Sequence, residues 1–254
     1  IVQFSSYSMA LSYYMLIPTI LFIDDLFNRF SFKSIILTVV SLIVILGLGS
    51  RGAILCILVF IILKIIRFRI KFRYNELISY SFLLLVVIIS YINLNHLLSF
   101  IYNFLLNFGI KSRSIELFLI DEVHLSGRDY IYREIVNKIL DKPFIGLGLA
   151  GDRYRGGYVH NFILEIIAHF GIVIGLIIVI LLLGLITMSL LTKNMEKYNM
   201  LIIWLSLGFT HLMVSSSYLL DYRFWIFIGL VLNNLTTNRS KKFLSLQKYE
   251  GVQL

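Results

Sequence analysis

FILEIIAHFGIVIGLIIVILLLGLITMSLL, residues 162–191, is the stretch whose reading decides the fold. Its only ionisable groups are Glu165 and His169, both near its start. A run of this kind exceeds the roughly 20 apolar residues that carry a helix across a hydrocarbon core. Shorter runs recur along the chain, and the predicted spans are 1–23, 34–49, 53–66, 77–93, 162–191, 199–219 and 222–236. Hydrophobic residues make up 59% of the sequence and its mean hydropathy is +0.88, outside the range of soluble globular domains. The expected fold is all-α: a polytopic transmembrane helix bundle with one large extracytoplasmic loop that contains short amphipathic helices. Residues 1–93 then supply about four spans, 94–160 the loop, 161–238 about three spans, and 239–254 a cytoplasmic tail.

The net charge of +9 reads as topology rather than as a nucleic-acid footprint. Short basic loops mark the cytoplasmic side of a membrane. Lys64, Arg67, Arg69, Lys71 and Arg73 form such a loop without an acid between them. Lys193 and Lys197 mark a second, and Arg239, Lys241 and Lys242 place the C-terminus inside. The expected location is a membrane, crossed several times, with 94–160 on the outer side. Gly47-Leu48-Gly49-Ser50-Arg51-Gly52 permits two readings. One long helix buries Arg51 at its centre, at about 2.5–3.5 kcal/mol on insertion scales. Two short helices put Arg51 at a tight outer turn built on the glycines, and leave Arg29 and Lys33 on the basic side. The split is preferred. The chain begins with Ile1, and further spans are expected upstream. Cys56 lies within an apolar run and is read as helix packing.

The loop has near-balanced charge. Tyr130, Ile131, Ile135, Ile139 and Leu140 recur at helical spacing and predict an amphipathic helix over 129–140, ended by Pro143. Asn95 to Phe108 predicts a second interfacial helix. Beyond the loop, His160, Leu164, Ile167, Gly171 and Gly175 fall on one helical face. That face suits close helix packing, or a lane for a lipid chain under a headgroup site. Asn161 and Glu165 share the adjacent face. Glu165 is placed to orient His160 or a sugar, and could pair with His169 one turn on. For His169 an interhelical hydrogen bond is the simpler reading. Arg223 with Asp221 reads as a rim ion pair, and Arg153 and Arg155 as solvated cations. The topology nevertheless sets Arg51, Arg128, His160 and Arg223 all at the outer face. Guanidinium groups grip phosphate oxygens bidentately and keep their charge, which suits a pyrophosphate leaving group. Other chemistries lack support. No Gly-Lys-Ser/Thr phosphate loop, His-Glu-x-x-His zinc motif or Gly-x-Ser-x-Gly elbow occurs, and one cysteine makes no thiolate cage.

At these residues the chain resembles the O-antigen ligase and polysaccharide polymerase family. Three blocks carry the resemblance. The first is Ser50-Arg51-Gly52-Ala53. The second is Gly127-Arg128, a short helix, then Pro143-Phe144-Ile145-Gly146-Leu147-Gly148. The third is His160-Asn161, nine residues, then Gly171. There are departures: Tyr130 and Tyr132 stand where the family commonly has Trp, and Gly175 falls one residue after the family's second glycine, with Ile174 in its place.

The resemblance implies glycosyl transfer at the outer face of the membrane. The donor is a glycan on undecaprenyl pyrophosphate, and the acceptor a sugar hydroxyl. A polymerase uses another lipid-linked repeat unit as acceptor; a ligase uses lipid A core or protein. No nucleotide, metal or other cofactor is implied, and the partners implied are a flippase and a chain-length regulator. Arg51 and Arg128 fall to the pyrophosphate, with Arg223 as a further phosphate candidate. His160, expected near neutral pKa, activates or positions the acceptor, and Asn161 and Glu165 join the substrate site. The reading from another class is a transporter or flippase for lipid-linked sugar. That class places charges at the bundle midplane, whereas these gather at the outer face.

Overall fold

The computed structural model describes residues 8–28, 31–48, 50–67, 94–109, 111, 115–116, 119, 128–153 and 157–250. Every regular element among them is helical, and no strand occurs among them. The predicted span 77–93 lies outside the described residues, as do Arg29, Gly49, Arg69, Lys71, Arg73, Gly127 and Arg155. The chain divides into two compact units, Ile1–His124 and Leu125–Leu254.

The N-terminal unit contains α1 (Met9–Asn28), α2 (Phe32–Leu48), α3 (Arg51–Arg67) and α4 (Leu94–Asn107). Two short helices therefore replace one long one around Arg51. The Ser50 hydroxyl accepts the Ala53 N–H at 3.3 Å, and so serves one of the open amides at the start of α3. Arg51 is the first residue of α3, where the positive end of the helix dipole disfavours a cation. Lys64 departs from its expected place in a basic loop. It lies in the last turn of α3, 3% exposed, with its ammonium 2.5 Å from Asp24. In α4, Leu105 is buried with Ile115 against Ile43 and Leu46 of α2.

The C-terminal unit contains α5 (Arg128–Asp141), a 3-10 turn (Gly151–Arg153), α6 (Phe162–Phe170), α7 (Ile172–Leu190) and α8 (Met195–Trp204). A π-helical turn (Leu205–Thr210), α9 (His211–Val214) and α10 (Tyr222–Glu250) follow. The predicted amphipathic helix is α5, which buries Ile135 and Ile139 with Val159 and Ala168. Tyr130 and Leu140, expected on its apolar face, are exposed. Phe162, Ile166, Val179, Leu212, Tyr218 and Phe224 form the core between α6, α7, α9 and α10.

Residues 162–191 are not one helix. Gly171, at φ 80°, breaks the run into α6 and α7. A broken helix exposes its last carbonyls, which need new donors. The Leu147 N–H supplies Ala168 at 2.7 Å and the Gly148 N–H supplies His169 at 3.1 Å. Pro143 in turn accepts the Ile172 N–H at 2.7 Å. Backbone lies directly on backbone here: a Cβ at Gly146 would stand 2.5 Å from the Gly171 nitrogen, and one at Gly171 would strike the Phe144 carbonyl. Gly175 packs on Ile167 in the same manner. The glycines thus admit neighbouring chain, as the close-packing reading of this face expects. His160, with φ 59°, precedes the helix and does not share its face.

Two further boundaries differ from expectation. The span 199–219 leaves helical geometry after Val214, and the tail 239–254 is continuous with the preceding span as far as Glu250. Among the described residues, α1 and α7 are long and apolar enough to cross a membrane; α2 and α3 have 17 residues each.

Gly171→Ala should destabilise the protein by roughly 1–3 kcal/mol, through a strained backbone and a blocked contact. Gly184→Ala, whose added Cβ meets nothing within 4 Å, should be near neutral. Thermal melting in detergent checks both. Equal melting of the two variants would contradict the interlock.

Candidate functional site

Several polar side chains of the C-terminal unit gather on one non-helical segment, residues 215–221, and the turn before it. Arg128 opens α5, and its Nη1 donates to the Val214 carbonyl at 2.5 Å. Asn161 is the N-cap of α6: its Oδ1 accepts the Leu164 N–H at 3.0 Å, while its Nδ2 donates to the Met213 carbonyl at 3.4 Å. The helix start is thus capped by Asn161 and not by its neighbour His160.

His160 is half-buried, with its ring centroid 4.3 Å from that of Tyr158. Its Nδ1 is buried and has no hydrogen-bond partner. Burial, and then the nearby Arg128 charge, push its pKa down from 6.5 to about 4. This corrects the expectation of a histidine near neutral pKa. The ring is uncharged across the physiological range and, in this state of the site, a weak base.

Glu165 does not face His160. It is 1% exposed, accepts a short hydrogen bond from the Ser217 hydroxyl, and takes the Tyr218 N–H at 3.3 Å. His169 has the hydrogen-bonding role expected of it, but with other partners. Its Nε2 meets Asp152 Oδ1 at 2.8 Å and its Nδ1 meets the Tyr218 hydroxyl at 2.9 Å. Burial alone would raise the Asp152 pKa. The hydrogen bond and charge of His169, its own backbone amide and Arg153 together hold it below the usual carboxylate value. Arg153, read as a solvated cation, donates to the Ser217 hydroxyl at 2.6 Å.

Arg223 and Asp221 are not a rim pair. Both are buried, and the guanidinium grips the carboxylate twice, from Nε and Nη2, each at 2.9 Å. His211 Nδ1 lies 2.7 Å from the same carboxylate. Burial pushes the Asp221 pKa up, but the hydrogen bonds and charges of His211 and Arg223 outweigh it and hold the group at about 2. Arg223 is thus engaged in fixing the start of α10.

The segment brings Arg128, Asn161, Glu165 and Arg223 into one set of contacts, with His160 beside Arg128. Arg51 belongs to the N-terminal unit. Sequence reasoning missed the roles of Asp152, His211, Ser217 and Tyr218. The run Ser215-Ser216-Ser217 after apolar residues is the signal that could have found the segment, because such hydroxyls compete with helical hydrogen bonds. Asp152, Glu165 and His169 also offer ligand atoms that lie within 4.8 Å of one another. Comparison with protein-family models, curated proteins and solved structures finds no match to the chain.

Asp221→Asn leaves Arg223 buried without its counter-charge, and should cost about 3–5 kcal/mol. The folded-state pKa of about 2 lies below the ordinary 3.8, so the group contributes stability above that ordinary value and loses it as pH falls through about 2. Melts at descending pH should show the wild type losing more stability than the variant. Parallel curves would contradict the buried pair.

Proposed function

We propose that this chain is a multi-pass glycosyltransferase of the bacterial cytoplasmic membrane. It joins oligosaccharide repeat units, carried on undecaprenyl pyrophosphate, into a surface polysaccharide at the outer face. The observation that carries the reading is His160, an uncharged imidazole with an unsatisfied buried nitrogen, lying within the field of Arg128.

The chemistry needs little else. The anomeric carbon arrives with its leaving group attached. The acceptor hydroxyl attacks it, the bond from carbon to the pyrophosphate oxygen breaks, and the hydroxyl proton passes to His160. Arg128 neutralises the charge that grows on the pyrophosphate. An anion beside Arg128 also cancels part of the charge that depresses His160, so donor binding makes the base stronger. Arg51 opens α3 as Arg128 opens α5, each at a helix end unfavourable to a cation but favourable to a bound anion.

Two further observations support the reading. The second and third blocks of the family resemblance interlock through backbone hydrogen bonds between 143–148 and 168–172. Helix α7 is apolar on every side yet leaves residues such as Ile180 and Leu181 66% and 63% exposed, which hydrocarbon surroundings satisfy and water does not.

His160→Asn keeps the left-handed backbone, since Asn tolerates that conformation, but cannot take a proton. Polymer ladder formation should fall by roughly 100-fold at unchanged protein level, in a strain lacking the native enzyme. Arg128→Lys should rescue poorly, because an ammonium lacks the bidentate fork. Normal ladders from both variants would end the proposal.

A further inference from the structure

Asp152 of the 3-10 turn and Glu165 and His169 of α6 form a cluster that takes no part in the proton and charge transfer assigned to His160 and Arg128. One ligand atom from each lies within 4.8 Å of the others. The residues are 6%, 1% and 2% exposed, so water does not solvate the carboxylates. Glu165 has its two donors, the Ser217 hydroxyl and the Tyr218 amide. Asp152 is different. Its Oδ1 meets His169, but its Oδ2 is buried and bonded to nothing. An unsatisfied carboxylate oxygen in that setting is costly and calls for a partner. Arg153 does not supply it. Its Nη2 is on Ser217 and 3.9 Å from Glu165, and its Nε is itself buried without a partner.

We propose that Asp152, Glu165 and His169 bind a divalent cation of the zinc type. Two carboxylate oxygens and one imidazole nitrogen are a donor set that zinc accepts. The surroundings of His169 fit as well. A metal-bound histidine donates its other ring N–H to an oxygen, which fixes the tautomer. With Nε2 on the ion, Nδ1–H would donate to the Tyr218 hydroxyl, already 2.9 Å away. The ion replaces the His169–Asp152 hydrogen bond with two coordination bonds and occupies the open side of the Asp152 carboxylate. It acts as a structural tie between the 3-10 turn and α6, at the point where Ser217 and Tyr218 are held. The proposal does not rest on the transfer chemistry, because neither His160 nor Arg128 contributes a ligand; Glu165, expected in the substrate site, is the one residue the two readings share.

The test uses the full chain in detergent, stripped with a chelator, dialysed and titrated with zinc. Retained metal is measured by elemental analysis and stability by melting temperature. The wild type should retain about one ion per chain and melt higher with zinc present. Asp152→Asn and His169→Gln should lose both effects. Tyr218→Phe, which removes only the oxygen behind His169, should weaken binding about tenfold. His96→Gln, exposed in the other unit, should change neither. Should the buried variants fail to fold, cobalt on the unaltered chain decides the matter through its visible absorption, present if the site exists and absent if it does not. A wild type that retains no zinc, or a His169→Gln variant that retains as much as wild type, overturns the site.

Discussion

Two backbone amides govern what the C-terminal unit can be. The N–H groups of Leu147 and Gly148 are bonded to the last carbonyls of α6. Without them, a helix ending at Phe170 would leave carbonyls unpaired inside apolar surroundings. With them, the chain can stop, turn at Gly171 and start again as α7. The break separates two kinds of helix. The short α6 presents Glu165 and His169 to a polar interior, whereas α7 carries no charge at all.

That separation explains where polarity collects in so apolar a chain. Buried charge is tolerated only where it is matched. Residues 215–221 provide the matching, because their bends and turn leave amides and carbonyls that a continuous helix would consume. Arg128 and Asn161 reach the carbonyls just before the segment, Glu165 takes an amide within it, and Asp221 closes it on His211 and Arg223. Pairs of this kind do more to specify one arrangement than to raise stability against an apolar alternative.

The features legible in the sequence are those with local causes. A serine before an arginine in a glycine-rich break marks the start of α3, and period with a proline stop outlines α5. The break at Gly171 was hidden, since one glycine in an apolar run is common and its partner loop lies more than twenty residues upstream. Lys64 was misplaced because Asp24 stands 40 residues away, and the contact of Glu165 with Ser217 spans 52. The low basicity of His160 arises from burial and from Arg128, and neither is written in the histidine or its neighbours.

Helix α10 has 29 residues, which at about 1.5 Å per residue makes a rod roughly 43 Å long. A hydrocarbon core is only about 30 Å thick. A single helix therefore begins at the buried Asp221–Arg223 clamp and is some two turns longer than such a core is thick. Its clamped end adjoins the segment whose preceding carbonyls hold Arg128 and Asn161.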